Sequence, residues 1–235
     1  MSWNNVFAAQ VEDCMVLQHT LNQQLIGEDY RNNPPNFVRA FRQEIAEYVD
    51  WTPWKWWKAM PEANQEQIKI EVVDCFHFFL SQIIASSTSS TYIAKHLYAG
   101  LGALPSIRVS AVVNASCIAN SSAELQQLEI DDMLYACALS LQKDDTDDAA
   151  YLFGVVMQAI GLSWTELYKK YIAKNTLNQF RSDNGYKNGS YIKEWFGKED
   201  NDHLMEYVNS IVSPSGSFAA DCYKHLANIY STVNV

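Results

Sequence analysis

The sequence predicts an all-α protein, and three observations predict it. Apolar residues recur at helical spacing through most of the 235-residue chain. The period-two alternation of a half-buried strand is almost absent, and the breaks between apolar runs carry residues that start and stop helices. A first helix is predicted from about Trp3 to Ile26, with Cys14, Leu17, Leu21 and Leu25 at helical spacing. Pro34 and Pro35 break the chain, Asn36 offers an N-cap oxygen, and a second helix follows from Phe37 to about Asp50. Trp51 to Lys58 reads as a turn with a short helical piece, and a long third helix runs from about Asn64 to Ala85. Ser86 to Thr91 reads as a connection. Between Tyr92 and Leu162 three or four further helices are expected, punctuated by Gly100 and Gly102, by Pro105 and by the acidic run Asp144 to Asp148. That run precedes an apolar helix, where negative charge suits the positive end of the macrodipole. A helix from about Ser163 to Phe180, a glycine-containing loop from Arg181 to Trp195 and two C-terminal helices complete the chain. The stretch of about 87–162 carries no chemical motif. It reads as a second helical lobe, or an oligomer surface, between core segments 1–86 and 163–235.

Composition narrows the function. An apolar share of 48% fits a globular protein, and no run approaches the roughly 18 apolar residues of a membrane span. The N-terminus lacks a basic region followed by a long apolar core, so a cytoplasmic location is expected. Cys14, Cys75, Cys117, Cys137 and Cys222 are odd in number and have no CxxC spacing, which predicts reduced core residues. The Asn-x-Ser matches at Asn114, Asn120 and Asn188 then carry no weight. A net charge of −10 argues against a general nucleic-acid binder. The charge is uneven, however: Lys169 to Lys198 holds seven basic residues against Asp183 and Glu194. A compact positive patch on an acidic protein suits a small polyanion better than a long one.

The chemistry centres on two acidic doublets, Glu44-x-x-Glu47 in the second helix and Glu71-x-x-Asp74 in the third. Helical residues three apart lie about 60° apart around the axis and about 4.5 Å along it, so each doublet presents both carboxylates on one face. Each doublet alone could be a solvated helix face. Both are embedded in apolar sequence instead: Phe37, Val38, Phe41, Ile45 and Val49 around the first, Ile68, Ile70, Val72, Val73, Phe76, Phe79 and Leu80 around the second. Four buried carboxylates need solvent, protons or metal, and an all-oxygen set suits Mg²⁺ or Mn²⁺. Asp74-x-x-His77 also has the acid-x-x-His spacing of di-iron bundles, but those sites repeat it on a second helix and the Glu44 doublet has no histidine. A non-enzymatic helical interaction protein would leave the carboxylates and the basic loop as coincidence.

That loop, Lys174 to Asn201, mixes glycines that admit a ligand close to the backbone with Lys and Arg for phosphate charge and Asn and Tyr for neutral hydrogen bonds. Opposite a metal cluster, this is what a nucleoside triphosphate needs. Four blocks in order carry a family resemblance: Leu17-Gln18 with Leu21-Asn22; Glu44-x-x-Glu47 leading into Trp54-Lys-x-Trp-Lys58; Ile70-Glu71-x-Val-Asp74-x-x-His77-Phe78; and Lys174-Asn-x-Leu-Asn178 through Gly185-Tyr-Lys-x-Gly-Ser-Tyr to Glu199-Asp-Asn201. With them the chain resembles the all-α dimeric dUTPases, relatives of the MazG-like nucleotide pyrophosphatases and of phage dCTPase-dUTPases. The blocks cover the first 85 residues and about the last 70. Ser182 departs from the family pattern, which has Gln there.

The resemblance implies a helical bundle of the all-α NTP pyrophosphatase type, a homodimer that hydrolyses dUTP, and dUDP as well, to dUMP with Mg²⁺. It implies metal binding by Glu44, Glu47, Glu71 and Asp74, with Glu44 orienting or deprotonating the attacking water. Gln18 and Asn22 would meet the uracil edge, and Trp57 and His77 would line the base pocket. Lys174, Arg181, Lys187 and Lys193 would clamp phosphates, and Asn178, Tyr186 and Asn201 would touch sugar or phosphate. Uracil and cytosine are not separated at this level, since an amide can flip to present donor or acceptor. A dCTP/dUTP or broader MazG-like dNTP pyrophosphatase is the alternative.

Overall fold

A computed structural model describes residues 5–102, 125–212 and 216–233. Trp3, Pro105, Asn114, Cys117 and Asn120 lie outside the described residues. Helix α1 spans Asn5–Ile26 and buries Phe7, Val11, Cys14, Gln18, Leu21 and Asn22, a stripe advancing by threes and fours. Helix α2, Phe37–Asp50, starts where Pro34 and Pro35 end the preceding loop, and the Asn36 side chain accepts from Arg39 N at 2.8 Å. Its apolar face of Val38, Phe41, Ile45 and Tyr48 packs on α3, Gln65–Ala85. Asn64 caps α3, and thirteen of its residues from Ile68 to Ile84 are buried around most of the circumference. Between α2 and α3, Trp51 to Lys58 is a series of turns without the short helical piece expected there. Pro53 withholds a backbone donor, and the Thr52 hydroxyl bonds back to the Val49 carbonyl.

Helix α4, Ser90–Leu101, is capped by Ser89, so the connection after α3 ends earlier than expected. Gly100 does not punctuate this helix; it sits inside it. A Cβ at Gly100 would lie 2.1 Å from the Tyr151 carbonyl oxygen, and one at Gly154 would lie 2.3 Å from the Leu97 carbonyl oxygen. The two glycines are the contact at which α4 crosses α6, Thr146–Ala159, with no room for a side chain. Helix α5, Leu125–Gln142, packs on α6 and α2. The acidic run does what its position predicts: Asp145 caps α6, and Asp147 and Asp148 occupy its first turn. Phe153 of α6 stacks with Phe79 at 5.2 Å and lies 5.3 Å from Phe76, so the described helices of the middle stretch and the first three helices share one apolar core.

Helix α7, Trp164–Asp183, is capped by Ser163 and outlasts its predicted end at Phe180. The stop is Gly185, left-handed at φ 87°, so Arg181 and Ser182 stand on the last helical turn and not in a loop. A single 3₁₀ turn, Tyr186–Asn188, leads to a two-residue hairpin, β1 (Glu194–Trp195) with β2 (Lys198–Glu199), and then to α8 (Asp200–Ser210) and α9 (Phe218–Val233). Cys14, Cys75, Cys137 and Cys222 are buried free thiols. Among the described residues no helix is long and apolar enough to cross a membrane.

Candidate active site

The α2–α3 contact brings the acidic faces together at the edge of the core. Carboxylate oxygens of Glu44, Glu47 and Glu71 lie within 4.8 Å of one another. Asp74, the expected fourth member, is one α3 turn on from Glu71, and its Oδ2 is paired with Lys174 Nζ of α7 at 2.9 Å. The Trp51 indole N–H donates to Glu71 Oε1 at 3.0 Å, tying the tryptophan-rich turn to the cluster. Burial first, and then the negative charges of Asp74, Glu47 and Glu71, push Glu44 up to about 8. Burial and Asp74 push Glu71 up to about 7 against the Trp51 hydrogen bond and the Lys174 charge. A crowded, all-oxygen, partly desolvated donor set of this kind fits a hard divalent cation.

These shifts have a measurable sign. Both carboxyls hold protons in the folded chain at pH values where the unfolded chain has released them, so stability of the metal-free protein falls as pH rises through their range. His77, lowered by burial to about 4, acts in the opposite direction only below its ordinary value of 6.5. In EDTA, Tm should therefore fall between about pH 6.5 and 8, and Mg²⁺ should restore more of it at the upper end. A Tm that is flat across that window in EDTA would contradict the shifts.

Beside the cluster is a cavity of about 390 Å³. Glu44 and Asp74 line it on the acidic side, Lys174, Arg181 and Lys187 supply cations, and Leu25, Phe78 and His77 give it an apolar wall. Asn178, Ser182 and Tyr186 complete the lining. Lys187 donates to the Leu25 carbonyl at the end of α1, and Arg181 lies over the Tyr186 ring with 5.7 Å to its centroid.

Gln18 and Asn22 do not line the cavity. They are buried behind it, and their amides are spent on neighbours: Gln18 Nε2 donates to Asn22 Oδ1 at 3.0 Å, and Asn22 Nδ2 donates to Ser81 Oγ at 3.1 Å. Gln18 Oε1 accepts from the Tyr171 hydroxyl at 3.0 Å and from His77 Nδ1 at 2.9 Å. His77 is thereby the member of this network that reaches the cavity. With its Nδ1 proton given to Gln18, its Nε2 is a lone-pair acceptor, buried and without a protein partner among the described residues.

Three other expected contacts stand away from the cavity lining. Trp57 is 55% exposed, edge-on to Trp54 and Trp56. Lys193 pairs with Glu199 at 2.9 Å, and the Asn201 backbone N–H donates to the Asp200 carboxylate at 2.7 Å. The sequence assigned no site role to Trp51, Tyr171, Ser81, Leu25 or Phe78, although Phe78 stands in the third family block and Leu25 on the apolar spacing of the first helix. For Trp51 the signal was its place between the two doublets; for the others only the packing reveals it.

Carboxylates gathered at one helix pair, cations across a small cavity and an all-α frame around both make the arrangement of a helical phosphoanhydride hydrolase. A family model described as dUTPase matches residues 10–186, and the chain belongs to that family. It is accordingly a dUTP diphosphatase, a nucleotide hydrolase with an acidic cluster suited to metal. No curated protein matches the chain.

Proposed function

We propose that the chain hydrolyses dUTP, and also dUDP, to dUMP with Mg²⁺ at Glu44, Glu47 and Glu71, with Mn²⁺ as a working substitute. The observation that carries this reading is the carboxylate trio set beside a cavity lined by Lys174, Arg181 and Lys187. Asp74 joins the trio when Lys174 leaves it for a phosphate. Bound to these carboxylates, a divalent cation neutralises phosphate charge and makes a water more acidic. Glu44 alone of the trio also lines the cavity, which makes it the carboxylate best placed to take the water's proton. Lys174, Arg181 and Lys187 hold the phosphates from the other side, and Asn178 and Tyr186 contact sugar or phosphate. Trp57, Lys193 and Asn201 reach the ligand only if their surroundings move. The resemblance of the core segments to the dimeric family supports a homodimer, which sedimentation of the purified chain tests.

Base choice follows from His77. Its Nε2 accepts, and neutral at pH 7 it cannot donate there, so it pairs with the N3–H of uracil and opposes the bare N3 of cytosine. Gln18, Asn22 and Ser81 then act by fixing the tautomer and orientation of His77. A buried site built for one hydrogen-bond pattern discriminates by leaving groups unpaired when the pattern is wrong, so dUTP should exceed dCTP in kcat/KM by about 100-fold. The test is pyrophosphate or phosphate release with Mg²⁺ from dUTP, dUDP, dCTP, dTTP, dATP, dGTP and UTP. Turnover confined to dUTP and dUDP is the expected result. Equal cleavage of dCTP would remove the role given to His77, and equal cleavage of purine nucleotides would replace the reading with a broad dNTP pyrophosphatase.

A further inference from the structure

We infer that Asp200 is a positioning residue for the reaction, holding the Arg181 guanidinium in the orientation that meets phosphate. Asp200 is fully buried at the first position of α8. Its carboxylate takes a two-toothed grip on Arg181, accepting from Nε and from Nη2 at 2.7 Å each. The third nitrogen, Nη1, takes no part in that grip, and Arg181 lines the cavity. Two parallel bonds fix the plane of a guanidinium as a single contact cannot.

The acceptor is itself immobilised. Tyr191 Oη donates to Asp200 Oδ2 at 2.8 Å, and the Asn201 backbone N–H donates to Oδ1 at 2.7 Å. The Asp200 backbone N–H is bonded to the Lys193 carbonyl at 2.9 Å, anchoring it to the chain before the hairpin. Tyr191 is stacked on Tyr230 with 5.1 Å between centroids, and Trp195 closes the same aromatic wall. A cavity evolved only for phosphate affinity would gain nothing from a carboxylate here, because Asp200 cancels the charge of Arg181. What Asp200 adds is geometry, and geometry is felt where charge develops in the transition state more than in the bound substrate.

This inference rests on the reading of Arg181 as a phosphate-facing group, and the experiment separates the two. Steady-state hydrolysis of dUTP with Mg²⁺ is measured for the full chain, Asp200→Asn, Arg181→Gln and the double variant, with thermal melts of each. Asp200→Asn should lower kcat by about 30-fold with KM unchanged or lower, because the cavity gains positive charge as it loses order. The double variant should fall no further than Arg181→Gln alone, since one residue acts through the other. Losses that multiply, or a normal kcat in Asp200→Asn with only a lower Tm, would overturn the positioning role while leaving Arg181 on the phosphate. A normal kcat in Arg181→Gln would remove the phosphate reading of Arg181 and the inference with it. If Asp200→Asn does not fold, Tyr191→Phe keeps the packing and removes one support. It should lower kcat by about 3-fold or more in the wild-type background and not at all in Arg181→Gln, and equal losses in both would overturn the inference.

Discussion

Glu44→Gln should lower kcat for dUTP by a factor of about 1,000 or more and at the same time raise the Tm of the metal-free protein near pH 8. The two effects have one origin. Burial and three neighbouring carboxylates make the ionised form of Glu44 costly, which is why it is held up to about 8. Its neutral amide replacement keeps nearly the same shape while removing that repulsion. The same change deletes a cation ligand and the group proposed to accept the water's proton, so activity is lost as stability is gained. Kinetics with Mg²⁺ and thermal melts in EDTA at pH 6.5 and 8 check both halves. A variant that keeps a tenth of the activity would remove Glu44 from the chemistry, and a lower Tm at pH 8 would contradict the electrostatic account of the cluster.

Lys174→Met should strengthen the binding of Mn²⁺ by about tenfold while lowering kcat/KM for dUTP by about 100-fold. Lys174 is 8% exposed, and its ammonium sits 2.9 Å from Asp74. It also opposes the upward shifts of Glu44 and Glu71, so it acts as a built-in counter-cation for the whole cluster. Methionine fills most of the same volume without the charge. The carboxylates then compete for metal without a resident rival, but the phosphates lose one of their cations. Calorimetric titration with Mn²⁺ measures the first effect without any turnover. Unchanged or weaker Mn²⁺ binding would mean that the Lys174–Asp74 pair does not guard the metal position.

Much of the fold was legible because its signals are local. Asn36, Asn64 and Ser163 cap the helices they precede, and the i,i+3 acids fall on the faces that period 3.6 assigns them. What was not legible depends on partners distant in the chain. Gly100 read as a break because glycine weakens helices, whereas its value here is the absence of a side chain where two helices touch. Arg181 read as the start of the glycine-containing loop, but the helix ends only at the left-handed Gly185. The resemblance set Gln18 and Asn22, one helical turn apart, against the uracil edge. Their partners Ser81 and Tyr171 are 59 and 153 residues away, and no spacing rule reveals that their amides are already used. Asp200 entered only as the middle of the Glu199-Asp-Asn201 block, with no role of its own, and its complete burial separates it from Asp202 in the same helical turn.

The cavity cations have a kinetic consequence. Lys174 is bonded to Asp74 and Lys187 to the Leu25 carbonyl, so a phosphate arriving here must displace partners, while Arg181 keeps Asp200 and meets the phosphate with the nitrogen outside that grip. The entering nucleotide is a polyanion approaching a chain of net charge −10, and two of the three cavity cations, Lys174 and Arg181, are already paired with carboxylates. Long-range attraction therefore does not speed the encounter. Added salt screens a net repulsion, so the association rate rises with ionic strength over the first tens of millimolar, the reverse of an electrostatically steered enzyme. Selectivity is thus exerted at short range, in the exchange of one set of hydrogen bonds for another, where the wrong nucleotide cannot match the contacts it breaks.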